Sequence, residues 1–315
     1  MKKKRGERMK LFKNRGDIYL PKTDYKSSKE ERILRILLIV IVLFTVVFLV
    51  LLNHKYTSMA DFFGRGEITV TDAADVSEEV LPDIAGKTNF LFFETDDERT
   101  VLHYVFLIQA DRDNLAYKVT ALSPSTKLDG DSLFDIYSLG GGAALQTRLT
   151  EYFGFEIGYY AGFEYSDFID FAGKLGDFVH LSGQDIRFSG GKGDDKYTLH
   201  INEGEQSLGG KELSNLLRYY CEEEKNFSLE NEALLEGLTQ LFNEENYEDC
   251  DSLFRLFIQC ASTNITVRDF ENGKDGLYVF CKENSSVTLY STAVQYKDAT
   301  LTPTSVKDIK GYFSY

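Results

Sequence analysis

The hydrophobic pattern changes character three times along the chain. Residues 36–52 read ILLIVIVLFTVVFLVLL, seventeen positions without a charge and with Thr45 as the lone polar side chain. At 1.5 Å per residue, Ile33 to Leu52 spans roughly 30 Å, one hydrocarbon core. An apolar run this continuous leaves no polar face for a surface helix. The 35-residue head before it and the poor cleavage phrase SMAD at 58–61 speak against a cleaved signal peptide. The segment is therefore read as a transmembrane helix over 33–52, after a basic tail over 1–32. An acidic stalk follows over 53–87, and a globular domain over 88–315.

Beyond the stalk the period shortens. NFLFFE (89–94), VFLIQA (105–110) and YKVTALS (117–123) are short apolar runs with strand character. The turn DRDN makes the last two a β-hairpin. Helical spacing appears in 143–153, in SDFIDFAGKLG (166–176) with Ser166 and Asp167 as N-cap candidates and Gly176 at the C-terminal end, and in GKELSNLLRYYCEEE (210–224). It recurs in 234–242 and 253–261. KYTLHI, TNITVRDF, GLYVFC and SVTLYST read as further strands. Helices interleaved with paired strands predict an α/β (α+β) three-layer fold: a central mixed sheet flanked by helices.

Charge divides the chain in the same place. Residues 1–35 carry 13 Lys/Arg against 5 Asp/Glu, and the rest carries 22 against 45. A basic head before an apolar span puts the head in the cytoplasm and the domain outside the cell membrane, single-pass. The acidic body excludes general nucleic-acid binding. Cys221, Cys250, Cys260 and Cys281 form no CxxC pair, and disulfides and buried thiols are both open. His54, His103, His180 and His200 are scattered, so no metal-ligand spacing is present.

The run Gly140-Gly141-Gly142 poses the sharpest question. It fits neither a Walker loop nor a dinucleotide loop, since no Lys-Ser/Thr follows and no third glycine is correctly placed. The plainer reading is a positive-φ turn leading into a helix. The longer phrase LFDIYSLGGGAALQTRLTEYFGFEIGYYAGFEYSDFIDFAGKLGDF, with NEGEQSLGGKELSNLLRYY and TNITVRDF, resembles the LytR-CpsA-Psr family of cell-envelope proteins. The resemblance covers roughly residues 88–270.

That resemblance implies a single-span anchor and transfer of anionic glycopolymers from a polyprenyl-pyrophosphate carrier to peptidoglycan. Arginines and Mg²⁺ would grip the diphosphate, and an apolar pocket would take the lipid. Most of those charged positions differ here. The metal-binding aspartate falls on His103, read as a packed or surface histidine. The Arg-Asp pair falls on Ser125 and Thr126, the second helix arginine on Tyr220, and the downstream arginines on 228–232. Asp96, Arg99 and Arg218 are the candidates for a remnant ligand pocket. No catalytic residue is assigned, no metal ligand is expected, and Mg²⁺ would matter only for an active enzyme. Loss of four or five charge-assisted phosphate contacts, each worth about 1.5–3 kcal/mol, would remove most of the transition-state stabilisation. The expectation is a degenerate envelope protein that binds or scaffolds. Its candidate partners are the membrane, a polyprenyl-phosphate lipid or cell-wall glycopolymer, and other envelope proteins. An active phosphotransferase and an unrelated extracytoplasmic sensor are the alternatives.

Overall fold

The computed structural model describes residues 81–193 and 195–314. The expected tail, membrane span and most of the stalk lie outside the described residues. Among those described, no helix is long and apolar enough to cross a membrane.

The chain opens with three strands, β1 (Lys87–Thr95), β2 (Leu102–Asp111) and β3 (Ala116–Leu122). A small hairpin of β4 (Lys127–Leu128) and β5 (Asp131–Ser132) leads into helix α1 (Leu133–Phe153). Then come β6 (Tyr159–Glu164), α2 (Tyr165–Leu175), β7 (Phe178–Ser182), β8 (Ile186–Gly190), β9 (Tyr197–Ile201) and β10 (Gly204–Leu208). Helix α3 (Gly210–Tyr219) runs into a π turn (Tyr220–Glu224) and is followed by α4 (Phe227–Leu241), α5 (Glu244–Glu248) and α6 (Cys250–Cys260). The chain ends with β11 (Ala261–Thr263), α7 (Val267–Lys282), β12 (Thr288–Ser291), β13 (Tyr296–Lys297), β14 (Thr300–Leu301) and α8 (Pro303–Phe313).

Six strands form the central sheet in the order β11-β6-β1-β2-β3-β12. The expected hairpin is β2 and β3, paired antiparallel from Val105–Leu122 to Asp111–Ala116. β1 pairs antiparallel with β2 but parallel with β6, and β12 pairs parallel with β3, so the sheet is mixed.

The apolar run of β1 is continuous because both of its faces are covered. With a period of two, Asn89, Leu91 and Phe93 share one face. Phe93 meets Tyr137 of α1 edge-on, and Asn89 Nδ2 donates to the Phe313 carbonyl at the end of α8. Phe90, Phe92 and Glu94 share the other face. Phe92 packs on Phe168 of α2, and Glu94 accepts from Ser214 of α3.

The glycine run interrupts α1. Gly141 adopts φ 64°, ψ −155°, a region open essentially to glycine alone. At Gly142 a Cβ would come within 2.7 Å of the Tyr160 ring and 2.9 Å of Phe93. The triple glycine is thus a kink seated against the sheet, as the plainer reading held.

Three local expectations need correction. TNITVRDF is a strand only to Thr263, and GLYVFC lies inside helix α7. Thr266 and Asp269 form a capping box that starts this helix, and the aromatic residues of 276–281 conceal its 3.6-residue period. Helix α2 begins one residue earlier than expected, with Glu164 at the N-cap. The start is held instead by Asp97, whose Oδ1 accepts from the Ser166 amide and hydroxyl. Gly176 does close α2, at φ 100°.

Candidate functional site

Arg218, in the last turn of α3, is 3% exposed. Its guanidinium forks onto Asp195, with Nη1 to Oδ1 at 2.7 Å and Nη2 to Oδ2 at 2.6 Å. Its Nε donates to Glu222 Oε1 at 2.9 Å, and its face stacks 4.3 Å from the Tyr197 ring centroid. The π turn presents Glu222 one helical turn past Arg218. Asp195 comes from the glycine-rich loop between β8 and β9.

His103 on β2 lies on the other side of Asp195 and is fully buried. Its Nε2 contacts Asp195 Oδ1 at 3.0 Å and its Nδ1 contacts Glu94 Oε1 at 2.9 Å. Burial opposes protonation of this ring most strongly, but hydrogen bonds to Asp195 and Glu94 outweigh it and hold its pKa up at about 9. Burial likewise favours a neutral Asp195, yet the hydrogen bonds from His103 and Arg218 keep it down at about 2. Glu94 also accepts from the Tyr104 hydroxyl at 2.8 Å and from Ser214. Three carboxylates thus enclose two cations, and no surplus positive charge faces outward.

The other two candidates sit apart from this network. Asp96 caps the β1–β2 turn, accepting from the Thr100 amide and hydroxyl at 2.6 Å and from the Val101 amide at 2.8 Å. Arg99, at φ 58°, is largely exposed and pairs with Glu164. No described hydrogen bond or ion pair joins Asp96 or Arg99 to Arg218. His103, expected to be packed or at the surface, is packed. Glu94, Asp195 and Glu222 were missed. The signal for Asp195 was present in GGKGDDK, a glycine-rich turn carrying paired aspartates.

The positions where the resemblance expects cations are filled in other ways. The Thr126 hydroxyl donates to the Tyr296 hydroxyl at 2.9 Å, and Ser125 pairs with Ser123. Glu230 is fully buried beside the Cys221 thiol, and burial, opposed only in part by that thiol, raises its pKa well above the usual range. Mg²⁺ needs several oxygen ligands in octahedral array. The carboxylates around His103 are already engaged by cations and hydroxyls. Among the described residues no group of three or more His, Cys, Asp or Glu is placed to hold a metal. The residues present do not fit that ion. The four cysteines are free thiols.

On the same sheet face as Glu94 lies an apolar cavity of about 530 Å³. Phe90 and Ile108 form its floor, and Phe171, Leu238, Phe254 and Phe280 close it from α2, α4, α6 and α7.

No protein-family profile and no curated protein sequence matches the chain. Solved structures do. A protein of Eubacterium siraeum described as a transcription regulator superposes with TM-score 0.65 at 17% identity, over 78% of this chain and 98% of its own. TagV of B. subtilis matches with TM-score 0.57 at 14% identity, over 73% and 96% of the two chains. TagT bound to LI-WTA matches with TM-score 0.53 at 14% identity, over 74% and 92%. TagV and TagT are LytR-CpsA-Psr proteins, and the domain described here has the LytR-CpsA-Psr fold.

Proposed function

We propose that this chain is a membrane-anchored, extracytoplasmic protein of the bacterial cell envelope that binds a polyprenyl-type lipid or its glycopolymer without transferring it. The carrying observation is the internal neutralisation of Arg218. A guanidinium that grips a diphosphate needs its fork free. Here both Nη atoms hold Asp195 and Nε holds Glu222. The buried carboxylates would also repel a diphosphate brought close.

The apolar cavity supports the binding half of the reading. Its size falls within the range of small-ligand sites, and its lining suits a hydrocarbon chain. TagT, whose fold this domain shares, has been solved bound to LI-WTA. Extension to a glycopolymer partner here, and to a scaffolding role beside other envelope proteins, belongs to the proposal.

The test is a transfer assay with the full-length protein in detergent, Mg²⁺ and a polyprenyl-pyrophosphate-linked glycan. The expected result is no release of polyprenyl phosphate above background. Turnover that disappears in Arg218→Ala would establish an active phosphotransferase instead.

A further inference from the structure

The apolar cavity has a definite size and one blocked side. An apolar cavity of about 150 Å³ takes one benzene, about 25 Å³ per carbon, so about 530 Å³ takes about 20 carbons. Phe90 is on the cavity floor, and Glu94 stands on the same face of β1 four residues further on, about 13 Å away. Phe92 lies between them. It does not line the cavity, and its ring centroid packs 5.8–6.1 Å from those of Tyr104, Phe106, Phe163 and Phe168. These rings wall the cavity off from Glu94 and the Arg218 network. The charged lining residues lie at the other end of the sheet. Arg112 directly follows β2, and Asp269 accepts from the Tyr159 hydroxyl at the start of β6.

Two helices show that this space is kept open. Asp269, Gly273, Gly276 and Phe280 line the cavity at helical spacing, so they share one face of α7. Glycine inside a helix is unfavourable, and neither glycine here has a positive φ. A Cβ at Gly273 would meet nothing within 4 Å, and one at Gly276 would meet only Arg112 Cδ, at 3.2 Å. Backbone conformation explains neither residue, whereas the width they leave in the cavity does. Helix α6 turns Leu253, Phe254 and Phe257 to the same space, yet none of its residues is buried. Its apolar face is left unfilled by the protein itself. Resting on the lipid reading above, we propose that the cavity seats about four isoprene units, about 20 carbons, of one polyprenyl chain. The rest of the chain and the head stay outside, and Gly273 and Gly276 set the length admitted.

The test uses the full-length protein held in amphipol, with prenols of C10, C15, C20 and C30 competing against a labelled C20 prenol. Affinity is expected to rise about tenfold or more with each five-carbon unit up to C20, as further apolar surface is buried. From C20 to C30 it is expected to change by less than about threefold. Gly273→Leu adds four carbons, about 100 Å³ at the same packing, and is expected to bring the plateau down to C15. Leucine suits a helix better than glycine, so a melting temperature no lower than the parent's is expected for this variant. The parent's series decides the matter alone should the variant fail to fold. An affinity that keeps climbing from C20 to C30 overturns the length limit and leaves lipid binding standing. So does a folded Gly273→Leu whose plateau matches the parent's. Absence of saturable binding for every prenol overturns the lipid reading and the length limit together.

Discussion

His103 and Arg218 are buried cations held between carboxylates, and their removal or titration is directly measurable. His103 has its pKa raised to about 9, above the ordinary unfolded value near 6.5. A group raised on folding contributes stability in full below its unfolded pKa and loses it as pH climbs through the folded one. Stability is therefore expected to fall between about pH 6.5 and 9, by on the order of 3 kcal/mol. Urea unfolding across that range checks it, and His103→Gln should flatten the curve. Arg218→Ala leaves Asp195 and Glu222 without their guanidinium, with an expected cost of about 3–5 kcal/mol. Glu230 moves stability in the same direction as His103: burial favours its neutral form and raises its pKa on folding, so folding there demands a proton that the unfolded chain gives up as pH rises. Glu230→Gln removes that demand and is expected to raise stability at pH 7 by about 1–3 kcal/mol, with a smaller gain at pH 4. Thermal melts at the two pH values decide it.

At the scale of elements, the pattern of the sequence predicted the hairpin, the amphipathic helices and the glycine kink. β1 and β2 declare themselves through the uninterrupted runs FLFF and VFLI, because helices cover both faces of the sheet; Lys118 and Thr120 interrupt β3. Helix α7 was hidden because LYVF is rich in residues that favour strands, while its capping box at Thr266–Asp269 is a local signal. Thr263 and Asn264 also have a fixed structural role. The Asn264 side chain accepts from the Tyr160 amide at 2.8 Å, and the Thr263 hydroxyl donates to the Tyr160 carbonyl, clamping the edge of β6. Two glycine substitutions should separate packing from flexibility. Gly142→Ala forces a methyl into the Tyr160 and Phe93 rings and should cost about 1–3 kcal/mol. Gly173→Ala, in α2 with nothing within 4 Å of the new methyl, should gain about 0.4–1 kcal/mol. Chemical denaturation of the two variants provides the comparison.

For the molecule as a whole, the sequence carried the fold and the absence of expected cations, but not the arrangement that replaces them. Arg218 could be singled out from its helix. Asp195 could not be joined to it, because the pairing spans 23 residues and depends on how the β8–β9 loop closes over α3. Asp96 and Arg99 are neighbours in sequence and remain so in space, in a turn of their own. The apolar cavity draws on nine elements, four strands and five helices, and so left no contiguous trace. A domain that keeps an apolar cavity while its buried arginine is occupied by its own carboxylates should recognise a lipid by its chain and ignore the head. Equilibrium binding of polyprenol and polyprenyl phosphate to the full-length protein tests this most directly. The account requires affinities within about threefold of each other, since one free charge-assisted contact would separate them by tenfold or more. A preference for the phosphate above about thirtyfold, lost in Arg218→Ala, would contradict it.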